Sequence, residues 1–143
     1  DLPSAVERVQ EESRNLRKQL KGLQDQLAVY EGARLAGLAM QVGGVGLLVE
    51  TVAGWDPGAL KALAAAVTAS RPVCAVLLSP GPPISIIVAC SAGVSVDASA
   101  VLKELLGRFG GRGGGKREIA QGGGLTGPVD EIVASAKSIL ARV

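Results

Sequence analysis

Hydrophobic residues near the start of the chain recur at alternating spacings of four and three, which is the heptad pattern of a coiled-coil helix. Charged and amide side chains fill most other positions, and Ser13 occupies one position of the apolar stripe. The stripe is formed by Leu2, Val6, Val9, Leu16, Leu20, Leu23, Leu27 and Tyr30. A helix of this length spans about 45 Å, which is longer than a compact domain of the remaining size. The pattern therefore favours a projecting coiled coil, either intermolecular or folded back on sequence outside this chain, over an amphipathic helix that lies on its own domain.

Beyond this segment, short apolar runs alternate with amphipathic stretches. The runs Val45–Val49, Val73–Leu78 and Ile84–Ala89 predict strands, and the turn Ser79–Pro83 predicts that the last two form a hairpin. Strands this apolar do not face water, so the expected fold is α/β, a small sheet covered by helices.

Three helices are expected around the sheet. Asp56 and Pro57 predict the start of the first one, as its N-cap and first helical residue. Asp97 caps the second, which is predicted to end at Gly107, and Pro128 opens the third. The third helix carries its apolar residues on one face: Val129, Ile132, Val133, Ala136, Ile139, Leu140 and Val143.

These patterns divide the chain into a helical coiled-coil segment, residues 1–36, and a globular domain, residues 37–143. The fold class is thus an α/β domain preceded by a long N-terminal helix. No signal peptide and no uninterrupted apolar 20-residue stretch is present, which predicts a soluble, cytoplasmic protein with no membrane partner.

Composition removes several kinds of chemistry. The chain contains no histidine, so its serines lack the commonest activating base and the commonest metal ligand is absent. The carboxylates lie at helix starts or on polar faces, where capping and solvation explain them, and a paired-carboxylate site is the weaker alternative. Cys74 and Cys90 lie in apolar runs, which indicates buried thiols rather than a disulfide or half of a zinc site. We expect no catalytic residues and no cofactor or metal in this chain.

A glycine-rich run from Gly110 to Gly124 is the strongest local signal. Eight of its 15 residues are glycine, and Arg112, Lys116 and Arg117 supply positive charge. Backbone N–H groups flanked by cations suit an anionic partner, above all a phosphate. The alternative is a flexible linker, but the embedded Ile119–Gln121 and the amphipathic helix that follows favour an ordered functional loop.

Two nucleotide-binding motifs are incomplete in this run. Gly110 and Gly115-Lys116 have the spacing of a P-loop, but Arg117 stands where Ser or Thr would contact magnesium. The dinucleotide-binding pattern G-x-G-x-x-G is not completed from Gly111 and Gly113, where Lys116 holds the last position, or from Gly44 and Gly46, where Val49 does. Nucleotide hydrolysis and dinucleotide binding are therefore not expected.

The stretch Arg108–Lys116, followed by Ala120–Gly124, resembles the C-terminal signature of alanyl-tRNA synthetases. This signature belongs to the DHH-associated domain, which those enzymes share with long alanyl-tRNA editing proteins and DHH phosphoesterases. The resemblance covers roughly Val45–Val143 and implies tRNA binding at the outer corner, where the D- and T-loops meet. In the phosphoesterases the related loop is Gly-Gly-Gly-His and binds substrate phosphate; here Lys116 replaces the histidine and no DHH motif occurs, so hydrolysis of phosphoesters is doubtful.

The resemblance implies an alanine-specific tRNA as partner, together with other domains of the parent enzyme, and the heptad stripe adds a homodimer through residues 2–30. Two alternatives remain: the C-terminal domain of an alanyl-tRNA editing hydrolase, and a mainly oligomerising module. The candidate nucleic-acid-binding residues are Arg108, Phe109, Gly110, Gly111, Arg112, Gly113, Gly114, Gly115, Lys116, Arg117 and Gln121.

Overall fold

The computed structural model describes residues 2–69 and 71–142. It begins with a 36-residue helix, α1 (Leu2–Gly37). The remaining elements follow in chain order: β1 (Met40–Val42), β2 (Val45–Thr51), α2 (Pro57–Ala69), β3 (Val73–Ser79), β4 (Ile84–Cys90), α3 (Ala98–Phe109), β5 (Arg112–Gly115), β6 (Ile119–Leu125) and α4 (Val129–Arg142).

The strands form one six-stranded mixed sheet with the order β1-β2-β3-β4-β6-β5. β2 and β3 are parallel and are connected through α2, whereas the other neighbours are antiparallel. The three predicted strands and the predicted β3–β4 hairpin are confirmed. β1 was not predicted, because three residues before the turn Gly43-Gly44 are too short for a periodic pattern.

Alternate residues of the central strands face two different helical layers. In β3, Ala75 and Leu77 pack with α2 and the end of α1, while Val76 and Leu78 pack with α3 and α4. The sheet is therefore buried on both sides, as its continuous apolar strands predict. The predicted α/β architecture is confirmed.

The helix starts follow the capping residues. The Asp56 carboxylate accepts a hydrogen bond from the Ala59 N–H at 2.7 Å, and that of Asp97 accepts one from Ser99 at 3.0 Å. α3 continues to Phe109 and is capped by Gly110, so the predicted end at Gly107 is wrong. Gly107 does not end the helix, because the C-cap forms three residues later. There the N–H of Gly110, at a φ of 78°, donates to the Leu106 carbonyl at 2.8 Å.

α4 begins one residue after Pro128 and buries the predicted face. Ile132, Ala136, Ile139 and Leu140 are fully covered by the sheet and α3. Val143, which was predicted to belong to this face, lies outside the described residues.

α1 packs on the domain only through its C-terminal turns. Ala28, Gly32, Leu35 and Ala36 are buried against α2. A Cβ at Gly32 would lie 2.5 Å from the Ala66 Cβ, so glycine permits the two helices to approach closely here. All four residues are buried although they lie before residue 37, and the boundary at 36/37 remains a prediction.

The heptad stripe lies on the face of α1 turned away from this contact. Every member is exposed, from 49% at Val6 to 80% at Leu2. The stripe therefore does not pack on its own domain, and α1 projects as expected. Among the described residues, no helix combines the length and apolarity that a membrane span requires.

Candidate nucleic-acid interface

The glycine-rich run forms two antiparallel strands at one edge of the sheet rather than a loop. β5 pairs with β6 from Arg112 opposite Gly123 to Gly115 opposite Ala120. The loop interpretation was wrong. Glycine is depleted in strands and has no side chain to give an alternating pattern, so no sequence pattern indicated a strand here. Here glycine is required by the close approach of the strands, since a Cβ at Gly113 would lie 2.5 Å from the Gln121 carbonyl oxygen.

The turn between β5 and β6 is fixed by backbone hydrogen bonds. Within the turn, the Lys116 N–H donates to the Ile119 carbonyl at 2.8 Å. Two further N–H groups donate to the turn at the same distance, that of Ala98 to the Arg117 carbonyl and that of Cys90 to the Glu118 carbonyl. The last two bonds join the turn to the start of α3 and the end of β4. The prediction that this segment is ordered, and not a linker, is confirmed.

The two sides of this edge have different surroundings. A Cβ at Gly122 would contact Leu102 and Leu106 of α3 at 3.3 and 3.4 Å, so α3 covers one side. Gln121 alternates with Gly122 and points to the opposite side, where its Nε2 donates to the Pro57 carbonyl at 2.8 Å. Gln121 thus holds the start of α2 against β6.

Strand alternation assigns Arg112, Gly114 and Lys116 to the same side as Gln121. Gly114 lies opposite Gln121, Arg112 lies opposite Gly123, and Lys116 pairs with Ile119. We call the surface of Arg112, Gly114, Lys116, Gln121 and Gly123 the hairpin face. A Cβ at Gly114 would meet no atom within 4 Å, so this face is open to solvent above that glycine.

The predicted cluster of four cations is divided by the fold. Within residues 2–69 and 71–142, the exposed side chains of Arg112, Lys116 and Arg117 form no ion pair. Arg108 lies on α3, on the other side of the sheet edge, where it is 3.4 Å from the Glu104 carboxylate. Glu104 also pairs with Arg142 at 2.7 Å, so Arg108 belongs to a contact between α3 and α4.

Phe109 and the two glycines after it also lie near α3. The Phe109 ring is partly buried and packs into the core layer of α3 and α4. Its carbonyl accepts hydrogen bonds from both the N–H and the Oγ1 of Thr126 at 2.9 Å. Gly110 caps α3, and a Cβ at Gly111 would lie 2.5 Å from the Gly123 oxygen. These residues have structural roles, and their predicted contact with RNA remains a prediction.

One residue near the hairpin face was missed by sequence reasoning. Trp55 lies two residues before Pro57, whose carbonyl is bound by Gln121, and it is partly buried in the same core layer as Ile119. Pro57 and Gln121 are 64 residues apart in the sequence. No local pattern could have brought Trp55 to this side of the sheet.

A sequence profile of the DHHA1 domain matches residues 44–142. The match covers the sheet from the turn before β2, both helical layers beyond α1, and the whole glycine hairpin. The chain belongs to the DHHA1 family.

This DHHA1 domain is similar to the C-terminal part of alanine–tRNA ligases. It is 34% identical over 132 residues to the ligase of Paraburkholderia phytofirmans and 33% identical over 132 residues to that of Polynucleobacter asymbioticus. Each match covers 87% of this chain and 15% of the relative, so the chain spans about one seventh of the length of these enzymes.

A solved structure gives the same assignment. The C-Ala domain of Aquifex aeolicus alanyl-tRNA synthetase superposes with a TM-score of 0.63 at 26% identity, covering 71% of this chain and 96% of that domain. RecJ of Thermus thermophilus superposes with a TM-score of 0.64 over 88% of this chain and 19% of its own, but its 16% identity shows a shared fold only.

The DHHA1 domain brings its two cysteines directly opposite each other in β3 and β4. Both thiols are free and buried, as predicted. The hydrogen bond that the Cys90 thiol donates to Cys74 and the burial of the site raise the pKa of Cys90 far above its ordinary value. In the described part of the chain, no group of three or more Cys, Asp or Glu residues could hold a metal ion.

Proposed function

We propose that this chain is the tRNA-binding C-terminal domain of an alanine–tRNA ligase and that the hairpin face contacts the tRNA. One observation carries the proposal: Arg112 and Lys116 flank Gly114 on an open strand surface without a carboxylate partner among the described residues. The similarity to alanine–tRNA ligases supports alanine-specific tRNA as the ligand.

The geometry suits a sugar–phosphate backbone. Arg112 and Lys116 are four positions apart, which is about 13 Å along an extended chain, so they reach different phosphates of one strand. Gly114, between them, presents backbone without a side chain, which lets a ligand approach closely. Arg117, in the adjoining turn, adds a third positive charge to this end of the sheet.

Salt dependence of binding tests these contacts. Two to three phosphate contacts imply a log–log slope on the order of −2 to −3 for tRNA binding. Arg112→Ala and Lys116→Ala should each flatten the slope by about one unit, because each removes one contact. Arg108→Ala is the matched control and should leave the slope unchanged, since Glu104 pairs with that side chain on the other side of the sheet edge. A normal slope in both hairpin variants would contradict the proposal.

Binding at the outer corner of the tRNA is a finer part of the proposal. We expect a complete tRNA to bind more tightly than a minihelix that carries only the acceptor and T stems and lacks the D-loop. Equal affinity at matched salt would place recognition elsewhere on the tRNA and would leave only the phosphate contacts supported.

The exposed stripe of α1 supports a second function, homodimerisation through residues 2–30. A seam of apolar residues that is uncovered along its whole length matches the packing surface of a two-stranded coiled coil. Light scattering at micromolar concentration should detect a dimer that dissociates in the double variant Leu20→Asp, Leu27→Asp. Val29→Asp is the control, because Val29 is 64% exposed but lies outside the stripe. A wild-type monomer at every concentration would refute dimerisation.

The parent protein is, in this proposal, a cytoplasmic ligase whose other domains perform aminoacylation and editing. The curated relatives named above support a ligase over an alanyl-tRNA editing hydrolase. Aminoacylation assays on the longer protein distinguish the two, because only a ligase consumes ATP and free alanine. In the ligase, Arg112→Ala and Lys116→Ala should raise KM for tRNA and leave alanyl-adenylate formation unchanged.

A further inference from the structure

The connection between β2 and α2 crosses the sheet toward the glycine hairpin. At its start, the Val52 N–H donates to the Leu78 carbonyl of β3 at 2.7 Å. At its end, the Pro57 carbonyl accepts from Gln121 of β6 at 2.8 Å. Because β4 lies between β3 and β6, the residues between these two bonds pass over β4. Trp55 lies within this crossing segment.

The indole of Trp55 is partly buried on the side of the sheet that carries the hairpin face. It packs with the core layer of α1 and α2, which also receives Ile119 from β6. The fold thus supports one part of the ring and leaves the rest in solvent. A ring held in this way is available for stacking with little loss of conformational entropy.

The other two aromatic residues are not suited to this role. Phe109 packs into the layer of α3 and α4 on the other side of the sheet edge. Tyr30 is 77% exposed on α1 and lies on the projecting stripe. Trp55 is therefore the aromatic side chain that shares a side of the sheet with Arg112 and Lys116.

We propose that Trp55 is a stacking platform for an unstacked RNA base whose neighbouring phosphates contact Arg112 and Lys116. The inference rests on the proposed function and adds the kind of RNA that the site selects. Phosphate contacts alone do not distinguish a paired helix from a splayed strand, whereas an aromatic face beside them favours an unpaired base. The partner is accordingly an RNA with exposed bases, such as a tRNA, and not a continuous duplex.

Intrinsic fluorescence tests the proposal directly, because Trp55 is the single tryptophan. Titration of the full chain with an alanine tRNA transcript should quench the tryptophan emission. A blunt RNA duplex, which presents no unpaired base, should bind through the cations without this quenching. Equal quenching by both RNAs, or no quenching during tRNA binding that a second method detects, would overturn the proposal.

Two substitutions separate stacking from packing. Trp55→Leu keeps an apolar side chain on the core but removes the aromatic face, and it should weaken tRNA affinity about five- to a hundredfold. Trp55→Phe keeps a smaller aromatic face and should restore most of the affinity. The salt slope should be unchanged in both, since no phosphate contact is lost. Thermal melts of both variants must agree within a few degrees for the comparison to report on stacking.

The results distinguish this inference from the function on which it rests. If wild-type protein binds neither RNA in a salt-dependent manner, the proposed function itself fails. If Arg112→Ala and Lys116→Ala weaken tRNA binding but Trp55→Leu and Trp55→Phe bind as tightly as wild type, only the stacking role is refuted. If Trp55→Leu is too unstable to compare, the tRNA and duplex quenching experiment on the wild-type chain still decides.

Discussion

Adjacent glycines of β5 are expected to respond in opposite ways to substitution. Gly113 has the β6 backbone where its side chain would lie, with the Gln121 carbonyl oxygen 2.5 Å from the Cβ position. Gly114 has no atom within 4 Å of its Cβ position and has an ordinary backbone conformation. Gly113→Ala therefore tests the packing of the hairpin, and Gly114→Val tests the open hairpin face.

The structure sets the size of both effects. A methyl group at Gly113 must displace one strand of the hairpin, and overpacking of this kind costs about 1–3 kcal/mol. For a chain of this length that lowers Tm by about 4–12 °C. Gly114→Val should leave Tm unchanged or raise it slightly, because valine favours a strand and fills only solvent. At the hairpin face, the valine side chain should hold the RNA backbone away from the strand and so cost one charged contact. Such a contact contributes about 1.5–3 kcal/mol, so its loss should weaken tRNA affinity about 10- to 100-fold.

Differential scanning fluorimetry and tRNA binding on the same two proteins measure both quantities. We expect low stability for Gly113→Ala, and normal stability with weak tRNA binding for Gly114→Val. Normal affinity in a stable Gly114→Val variant would refute the close approach of RNA to this strand. Unfolding of Gly114→Val would instead show that the open face is part of the packing.

Four further outcomes are expected. Gly32→Ala should lower Tm by several degrees, because its Cβ would lie 2.5 Å from that of Ala66. Gly22→Ala, in the open part of α1, should instead raise Tm slightly. Thermal melts check both variants. Cys74 and Cys90 should resist iodoacetamide in the native chain and react after unfolding, as mass spectrometry would show. Cys90 stays protonated in the folded chain, whereas in the unfolded chain it ionises above its ordinary pKa of about 8.5. The free energy of unfolding should therefore fall as pH rises past that value. Urea titrations at several pH values measure this change. The purified chain should neither form alanyl-adenylate, deacylate mischarged tRNA nor cleave phosphodiesters, and one such activity in pure protein would contradict its role as a binding domain.

Elements with strong local signals were predictable from the sequence. The β3–β4 hairpin followed from two β-branched runs around Ser79–Pro83, and the starts of α2 and α3 followed from Asp56 and Asp97. In these cases the residues that determine the conformation are neighbours in the sequence. Pattern and capping rules describe such interactions well.

The glycine strands were not predictable in this way. β5 has no side chain after Arg112 to give an alternating pattern, and its conformation depends on the backbone of β6 beside it. The same limit applies to the candidate site. Arg108 and Lys116 were grouped because they are close in sequence. In the fold, Arg108 lies on α3 and Lys116 follows β5, so their side chains lie on opposite sides of the sheet edge. Trp55 lies on the same side of the sheet as the hairpin face, next to a contact between Pro57 and Gln121 that no local rule contains.

The attachment of α1 only at its C-terminal end makes the helix a lever. The 26 residues from Leu2 to Leu27 extend about 39 Å beyond the first buried residue, Ala28. A rotation of about 5° at the contact between Gly32 and Ala66 would move the tip of such a helix by roughly 3 Å. The short contact with α2 therefore determines how accurately anything joined to the N-terminal end of α1 is positioned relative to the domain. Repacking a single small residue in that contact, such as Gly32, would be enough to shift whatever the tip of α1 carries.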